Sequence, residues 1–156
     1  MSATTHHHDA DSLAHKLHNA TGVSPTRCYQ CGKCTAGCPM AEEMDYTPSH
    51  ILRLLQLGLE GCEDRVLRAY SPWVCLTCEV CYARCPQEVD IPKLMDFLRS
   101  ESARLKKVNP RAADFLSFHK TMLDSIRYVG RLYEVGMIMG YKLRSWHFLE
   151  DVLMAP

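Results

Sequence analysis

Two stretches of this sequence, CYQCGKCTAGCP at 28–39 and CLTCEVCYARCP at 75–86, share one arrangement of cysteines. Each reads C-x2-C-x2-C-x3-C-P, and the second stretch repeats the first 47 positions later. Eight of the nine cysteines of the chain belong to these two runs: Cys28, Cys31, Cys34 and Cys38, then Cys75, Cys78, Cys81 and Cys85. The repeat predicts sulfur-rich metal sites.

The spacing of the cysteines favours a [4Fe–4S] cluster, which needs four soft thiolate donors. Three cysteines at i, i+3 and i+6 on a tight helical turn can face one cluster, and the proline after the fourth cysteine redirects the chain. Two other types of site fit less well. Disulfides are typical of secreted domains, and we expect no signal peptide in residues 1–17. Zinc usually takes two C-x2-C pairs, or cysteine together with histidine.

The two runs resemble those of bacterial iron–sulfur proteins that carry two clusters. In such proteins the fourth cysteine of each run binds the other cluster. The resemblance therefore implies two crossed sets of ligands. We define the first site as Cys28, Cys31, Cys34 and Cys85, and the second site as Cys75, Cys78, Cys81 and Cys38.

Composition and charge exclude several classes of protein. The chain has 156 residues, 47% hydrophobic and 23% charged, which is ordinary for a globular protein. Its 18 Lys and Arg residues balance 18 Asp and Glu residues, so we expect no nucleic-acid partner. No stretch approaches the roughly 20 apolar residues of a membrane span. Nine cysteines without a secretory signal favour a reducing compartment, and we expect a cytoplasmic protein.

The pattern of apolar and turn residues predicts an all-α fold with three regions. Residues 1–10 form a disordered tail, residues 11–108 a helical ferredoxin-like domain with two [4Fe–4S] clusters, and residues 109–156 a C-terminal helical arm. Within the domain, Thr47, Pro48 and Gly58 are typical of the start and end of a helix. We predict further helices over 11–20 and 63–70 and from Asp90 onward, with a break at Asn109-Pro110.

Helical periodicity also predicts which side chains are buried. In the helix after Thr47 we predict a core stripe of Ile51, Leu54 and Leu55, with Leu52 at its edge. In the helix after Asp90 we predict a buried face of Ile91, Leu94, Met95, Leu98 and Leu105, and a solvent-facing set of Arg99, Glu101, Arg104 and Lys106. Residues 136–156 are rich in Met and aromatic residues, which fits either self-packing or an arm that binds a partner.

Three segments of the chain resemble one protein family, the C subunits of heterodisulfide reductases. They are CYQCGKCTAGCP, YTPSHILRLLQLGLE and WVCLTCEVCYARCPQEVDIPKLMDFLR, and the resemblance extends from about Cys28 to Arg99. In that family, the C subunit relays electrons between a flavin-containing A subunit and a B subunit whose cysteine-rich CCG motifs carry the disulfide-reducing site. The resemblance implies the same partners, a flavoprotein like the A subunit of heterodisulfide reductase and a CCG protein like its B subunit.

The expected function is therefore electron transfer within an oxidoreductase complex that acts on a sulfur group. The sequence contains no CCG motif and no glycine-rich dinucleotide fingerprint, so we expect no catalytic residue on this chain. Two other interpretations stay open. One is the iron–sulfur subunit of another flavin dehydrogenase, such as one acting on glycerol 3-phosphate or glycolate. The other is a zinc-stabilised interaction module without redox activity.

Overall fold

The computed structural model describes residues 12–145, and the regular structure within this range is entirely helical. The helices are α1 (Leu13–Thr21), α2 (Lys33–Ala36), α3 (Pro48–Leu57), α4 (Glu60–Leu67), α5 (Ser71–Val74), α6 (Val80–Ala83), α7 (Ile91–Arg104), α8 (Ala113–Val129) and α9 (Glu134–Ser145). Two short 3-10 turns lie at Pro25–Arg27 and Pro110–Ala112. The predicted all-α fold is confirmed. The tail predicted at 1–10 lies outside the described residues.

The chain divides into two compact units, one ending at Asn109 and one beginning at Pro110. The first unit contains both cysteine runs and helices α1 to α7, and the second contains α8 and α9. A helix is disfavoured at a residue that precedes proline, which explains why the chain breaks there. Within the described part of the chain, no helix is both long enough and apolar enough to cross a membrane.

Helix α3 begins and ends where the sequence predicts. Thr47 precedes it in extended conformation, Pro48 is its first residue, and Gly58 ends it with φ of +60°. Its buried face differs from the prediction, because Leu52 is fully buried and Leu54 only partly. Helix α3 packs against α1, α2, α4 and the Pro25–Arg27 turn. With neighbours on several sides, a residue at the edge of the predicted stripe becomes part of the core.

The core of the first unit is formed mainly by α1, α3, α4 and α7. Its fully buried side chains include Leu17, Ile51, Leu55, Val66, Ile91, Leu94, Met95 and Leu98. Leu105, predicted on the buried face of α7, is exposed because the helix ends at Arg104 and its periodicity stops there. Helix α4 begins at Glu60, three residues earlier than the predicted start.

In the second unit, α8 and α9 pack against each other. Gly130 ends α8 with φ of +73°, and the ring of Phe118 meets that of Tyr141 edge to face at 6.1 Å. Arg144 forms an ion pair with Asp124 at 2.7 Å. Many apolar side chains of this unit stay exposed, including Phe115, Leu123, Ile126, Tyr128, Val135, Ile138, Met139 and Leu143.

Candidate metal centre

The two cysteine runs fold in the same way. Helices α2 and α6 lie 47 positions apart, and each contains the third cysteine of its run. The two helices pack against each other. A short turn precedes each run, at Pro25–Arg27 and at α5. The sequence repeat is therefore also a structural repeat, and its two halves meet at α2 and α6.

Each run contains two residues in the left-handed region, at equivalent positions. Gln30 and Thr77 have φ of +64° and +51°, and Gly32 and Glu79 have φ of +76° and +62°. Such a conformation is unusual for a residue other than glycine, above all for a β-branched one such as Thr77. Alternating backbone conformations of this kind turn N–H groups toward one point and form concavities that bind anions, iron–sulfur clusters among them.

The cysteine sulfurs accept hydrogen bonds from these loops. The backbone N–H of Gln30 donates to Cys28 Sγ at 3.4 Å and its side-chain amide donates at 3.5 Å. The backbone N–H of Val89 donates to Cys85 Sγ at 3.4 Å. All nine cysteines lie within the described residues and all carry free thiols. Donors around the sulfurs are what an anionic cluster requires, because they stabilise its negative charge.

Four cysteines line a single cavity: Cys38, Cys75, Cys78 and Cys81. The other walls are mostly apolar and include Met40, Met44, Ile91 and Met95. Cys38 belongs to the first run and the other three to the second, so the structure brings the fourth cysteine of one run to the first three of the other. This is the grouping that the resemblance implies for the second site.

The chemistry of this cavity fits a cluster. Among residues 12–145, no group of three or more His, Cys, Asp or Glu is close enough to hold one metal ion. Four sulfurs around an apolar chamber suit a [4Fe–4S] cube.

The cysteines of the first site lie around Tyr29. The pKa of Tyr29 is raised by desolvation, by its hydrogen bond to Cys31, and by the nearby charges of Cys85 and Cys28. Cys34 is in turn close enough to Cys28 for their charges to interact. Cys85, from the second run, thus lies within electrostatic range of Tyr29, as Cys28 and Cys31 do.

Burial changes the acidity of several of these thiols. It raises the pKa of Cys34 and Cys75, and it raises the pKa of Cys81 to about 12. A thiolate is unfavourable in an apolar environment, and positively charged iron would offset that cost. Cys31 and Cys78, at equivalent positions, are exposed. One sulfur of each site thus lies at the surface.

The equivalent residues Gly37 and Arg84 touch each other where the two halves meet. A Cβ atom built on Gly37 would lie 2.7 Å from Cδ and Nη1 of Arg84 and 2.8 Å from Nε. Gly37 has φ of −104°, so its backbone does not require glycine. A side chain at Gly37 would therefore displace the exposed side chain of Arg84 from this position.

Sequence reasoning missed two residues that hold the site in place. Gln56 and Arg99 donate hydrogen bonds to the backbone at the start of the cysteine runs. Arg99, predicted to face solvent, is partly buried, with 31% of its side chain exposed. Gln56 follows the buried Leu52 by four positions, and Arg99 follows the buried Met95 by four positions. A polar residue at that spacing lies on the core side of its helix, and this was the available signal.

The chain is similar to known iron–sulfur proteins. Residues 24–89 match the family model of the 4Fe-4S dicluster domain. The chain is 40% identical over 82 residues to the iron-sulfur C subunit of the CoB–CoM heterodisulfide reductase of Methanopyrus kandleri, covering 53% of this chain and 41% of that protein. It is 42% identical over 77 residues to one of the C subunits of the same enzyme from Methanocaldococcus jannaschii, covering 49% of this chain and 39% of that protein.

A third relative is the C subunit of the H2:CoB-CoM heterodisulfide,ferredoxin reductase of Methanothermobacter thermautotrophicus. It is 34% identical over 92 residues, covering 59% of this chain and 48% of the relative. The chain thus spans about two fifths to one half of the length of these curated relatives. The comparisons confirm the resemblance to the C subunits of heterodisulfide reductases and the two [4Fe–4S] clusters.

Proposed function

We propose, starting from a 4Fe-4S dicluster domain at residues 24–89, that this chain is the electron-transfer subunit of a heterodisulfide reductase-like complex. Each [4Fe–4S] cluster accepts and releases one electron. The protein supplies sulfur ligands, an apolar enclosure and surfaces for partners. The observation that supports this most strongly is the apolar cavity lined by cysteines from both runs.

We further propose the ligands of the two sites. The first site consists of Cys28, Cys31, Cys34 and Cys85, and the second of Cys75, Cys78, Cys81 and Cys38. The position of Cys38 in the cavity with the second run supports this assignment, as does the proximity of Cys85 to Tyr29. Crossed ligands tie the two halves of the repeat together.

The proposed partners are a flavoprotein like the A subunit of heterodisulfide reductase and a CCG protein like its B subunit. They are proposed because the relatives are named as subunits of heterodisulfide reductases. In this complex the chemistry on the sulfur group belongs to the partner, and this chain carries electrons. The exposed Cys31 and Cys78 give each site an edge at the surface. We propose the cytoplasm as the location, because a reducing compartment keeps cysteines from forming disulfides and leaves them available to bind clusters.

The test is metal analysis of the anaerobically purified complex, followed by identification of its subunits. We expect about eight irons and eight acid-labile sulfides per chain, and an EPR signal from interacting clusters after dithionite reduction. We also expect a flavoprotein and a CCG protein to purify with the chain. Two zinc ions without sulfide would instead support a structural module. A loaded complex without any CCG protein would support another flavin dehydrogenase.

A further inference from the structure

A side chain from α3 holds the backbone at the start of the first cysteine run. Gln56 Nε2 donates to the carbonyl oxygen of Pro25 at 2.9 Å and to that of Cys28 at 2.6 Å. Pro25 begins the turn before the run, and Cys28 is the first cysteine of the run. The amide of Gln56 therefore fixes the approach of the chain to the first site.

A side chain from α7 does the same in the second half. Arg99 donates to the carbonyl oxygen of Pro72 from Nε at 3.0 Å and from Nη2 at 2.7 Å, and to that of Cys75 from Nη2 at 3.2 Å. Pro72 and Cys75 follow Pro25 and Cys28 by 47 positions. Two different side chains thus hold equivalent carbonyl oxygens in the two halves.

The two side chains hold equivalent carbonyl oxygens, but they differ in charge. The guanidinium of Arg99 is always protonated, whereas the amide of Gln56 is neutral. The guanidinium of Arg99 lies at the first cysteine of the second run, because it donates to the carbonyl oxygen of Cys75 at 3.2 Å. Asp96 pairs with Arg99 at 2.8 Å, so a negative charge lies close to the same guanidinium. The backbone at the first cysteine is therefore held by a charged group in the second run and by a neutral group in the first run.

We propose that Arg99 is a positioning residue that raises the reduction potential of the second site, and that the Gln56–Arg99 difference makes the two sites inequivalent. The inference rests on the function proposed above. A fixed positive charge stabilises the more negative, reduced form of a nearby iron–sulfur centre. It does so here with limited screening, because the guanidinium is partly buried against the backbone carbonyls. The neutral Gln56 gives the first site the same backbone support without that charge.

The test is a potentiometric titration, followed by EPR, of the complex carrying Arg99→Gln. We expect one of the two reduction potentials to fall while the other stays unchanged. Iron and sulfide content should stay at the wild-type level, because a glutamine already holds the equivalent carbonyls in the first half. Arg99→Lys, which keeps the charge, should leave the potential closer to the wild-type value.

Two further substitutions test the sign and the site. Gln56→Arg should raise a reduction potential, and the potential that moves should be the one that Arg99→Gln leaves unchanged. Asp96→Asn removes the negative charge that pairs with Arg99 and should raise the potential that Arg99→Gln lowers. Arg104→Gln is the matched control, because it makes the same change of charge on the same helix, at a residue paired with Glu101. It should move neither potential.

The outcomes separate this inference from the proposed function. A wild-type complex without iron and sulfide would overturn both. A loaded complex in which Arg99→Gln shifts neither potential, or shifts both equally, would overturn the role of Arg99 alone. If Arg99→Gln loses iron, the reduction potentials of Gln56→Arg and Asp96→Asn test the inference in its place. Wild-type potentials in both of these variants would overturn it.

Discussion

At the scale of single residues, the fourth cysteine of each run has the most distinctive position. Cys38 and Cys85 follow the third cysteine by four residues and precede a proline. The structure brings Cys38 to the second run's cavity and Cys85 close to Tyr29 in the first run. Each of these cysteines therefore lies close to residues of the other run.

Exchanging one of these cysteines should alter the opposite site. We expect Cys85→Ser to change the EPR spectrum of the cluster held by Cys28, Cys31 and Cys34, because a hydroxyl is a harder and weaker iron ligand than a thiolate. Cys38→Ser should change the spectrum of the other cluster. Cys62→Ser, the partly buried cysteine outside both runs, is the control and should change neither. Perturbation of the cluster on the same run would contradict the crossed assignment.

The cysteines could be predicted from the sequence, because their spacing is local and is found in few other types of metal site. Gln56 and Arg99 could not be assigned in the same way. Their partners, the carbonyls of Cys28 and Cys75, lie 28 and 24 positions away. Which carbonyl a long polar side chain reaches depends on how the helices pack. Periodicity gives only the side of the helix that such a residue occupies.

At the scale of secondary structure elements, Asp45 joins the loop before α3 to the start of α5. Its carboxylate accepts hydrogen bonds from the backbone N–H groups of Tyr70 at 2.7 Å, Ser71 at 2.9 Å and Tyr46 at 3.0 Å. The hydroxyl of Ser71 donates to it as well. Helix α5 leads directly into Cys75, so this carboxylate orients the beginning of the second run.

Asp45→Asn should destabilise the fold by about 1 kcal/mol at pH 7, because an amide offers one acceptor oxygen instead of a charged carboxylate. Burial raises the pKa of Asp45, but its hydrogen bonds outweigh burial and the pKa is lowered. The contribution is therefore complete above about pH 4, the ordinary aspartate pKa, and is lost as the pH falls through the lower folded value. Denaturant titrations of the loaded protein at pH 7 and pH 5 should give the same difference.

The control for Asp45→Asn is Asp114→Asn, on the exposed first turn of α8. It should change the free energy of unfolding by less than about 0.5 kcal/mol. If the stability difference between Asp45→Asn and wild type disappeared between pH 7 and pH 5, Asp45 would have to titrate well above its ordinary pKa. The hydrogen bonds would then not stabilise its charge.

The ends of the elements were predictable to different degrees. The start of α3 at Pro48, its end at Gly58 and the break before Pro110 follow from local backbone chemistry. The burial of Leu52 rather than Leu54 does not, because it depends on which neighbours cover α3. The all-α fold was predictable because local signals for the start and end of a helix recur along the chain.

At the scale of the whole molecule, the second unit exposes a large apolar surface. Leu123 on α8 and Met139 on α9 are 61% and 62% exposed, and Tyr128 is 82% exposed. Phe118 and Tyr141 pack against each other, so self-packing explains part of the apolar content. We propose that the remaining exposed residues bind another protein of the reductase-like complex. The segment 146–156, also included in the predicted arm, lies outside the described residues.

Replacing Leu123 and Met139 together by glutamine should release a partner protein from the purified complex. Both side chains are already exposed, so the chain itself should keep its fold and its iron. The measurement is the composition of the complex after affinity purification, with iron per chain determined on the same sample. Lys120→Gln, an exposed polar position on α8, serves as the control and should retain every partner. Unchanged composition in the double variant would contradict a docking role.

Gly37 and Arg84 occupy equivalent positions of the repeat and touch each other. The contact needs unlike residues at the two equivalent positions, because two arginines would compete for the same space. These side chains therefore break the symmetry of the repeat at the place where its two halves meet.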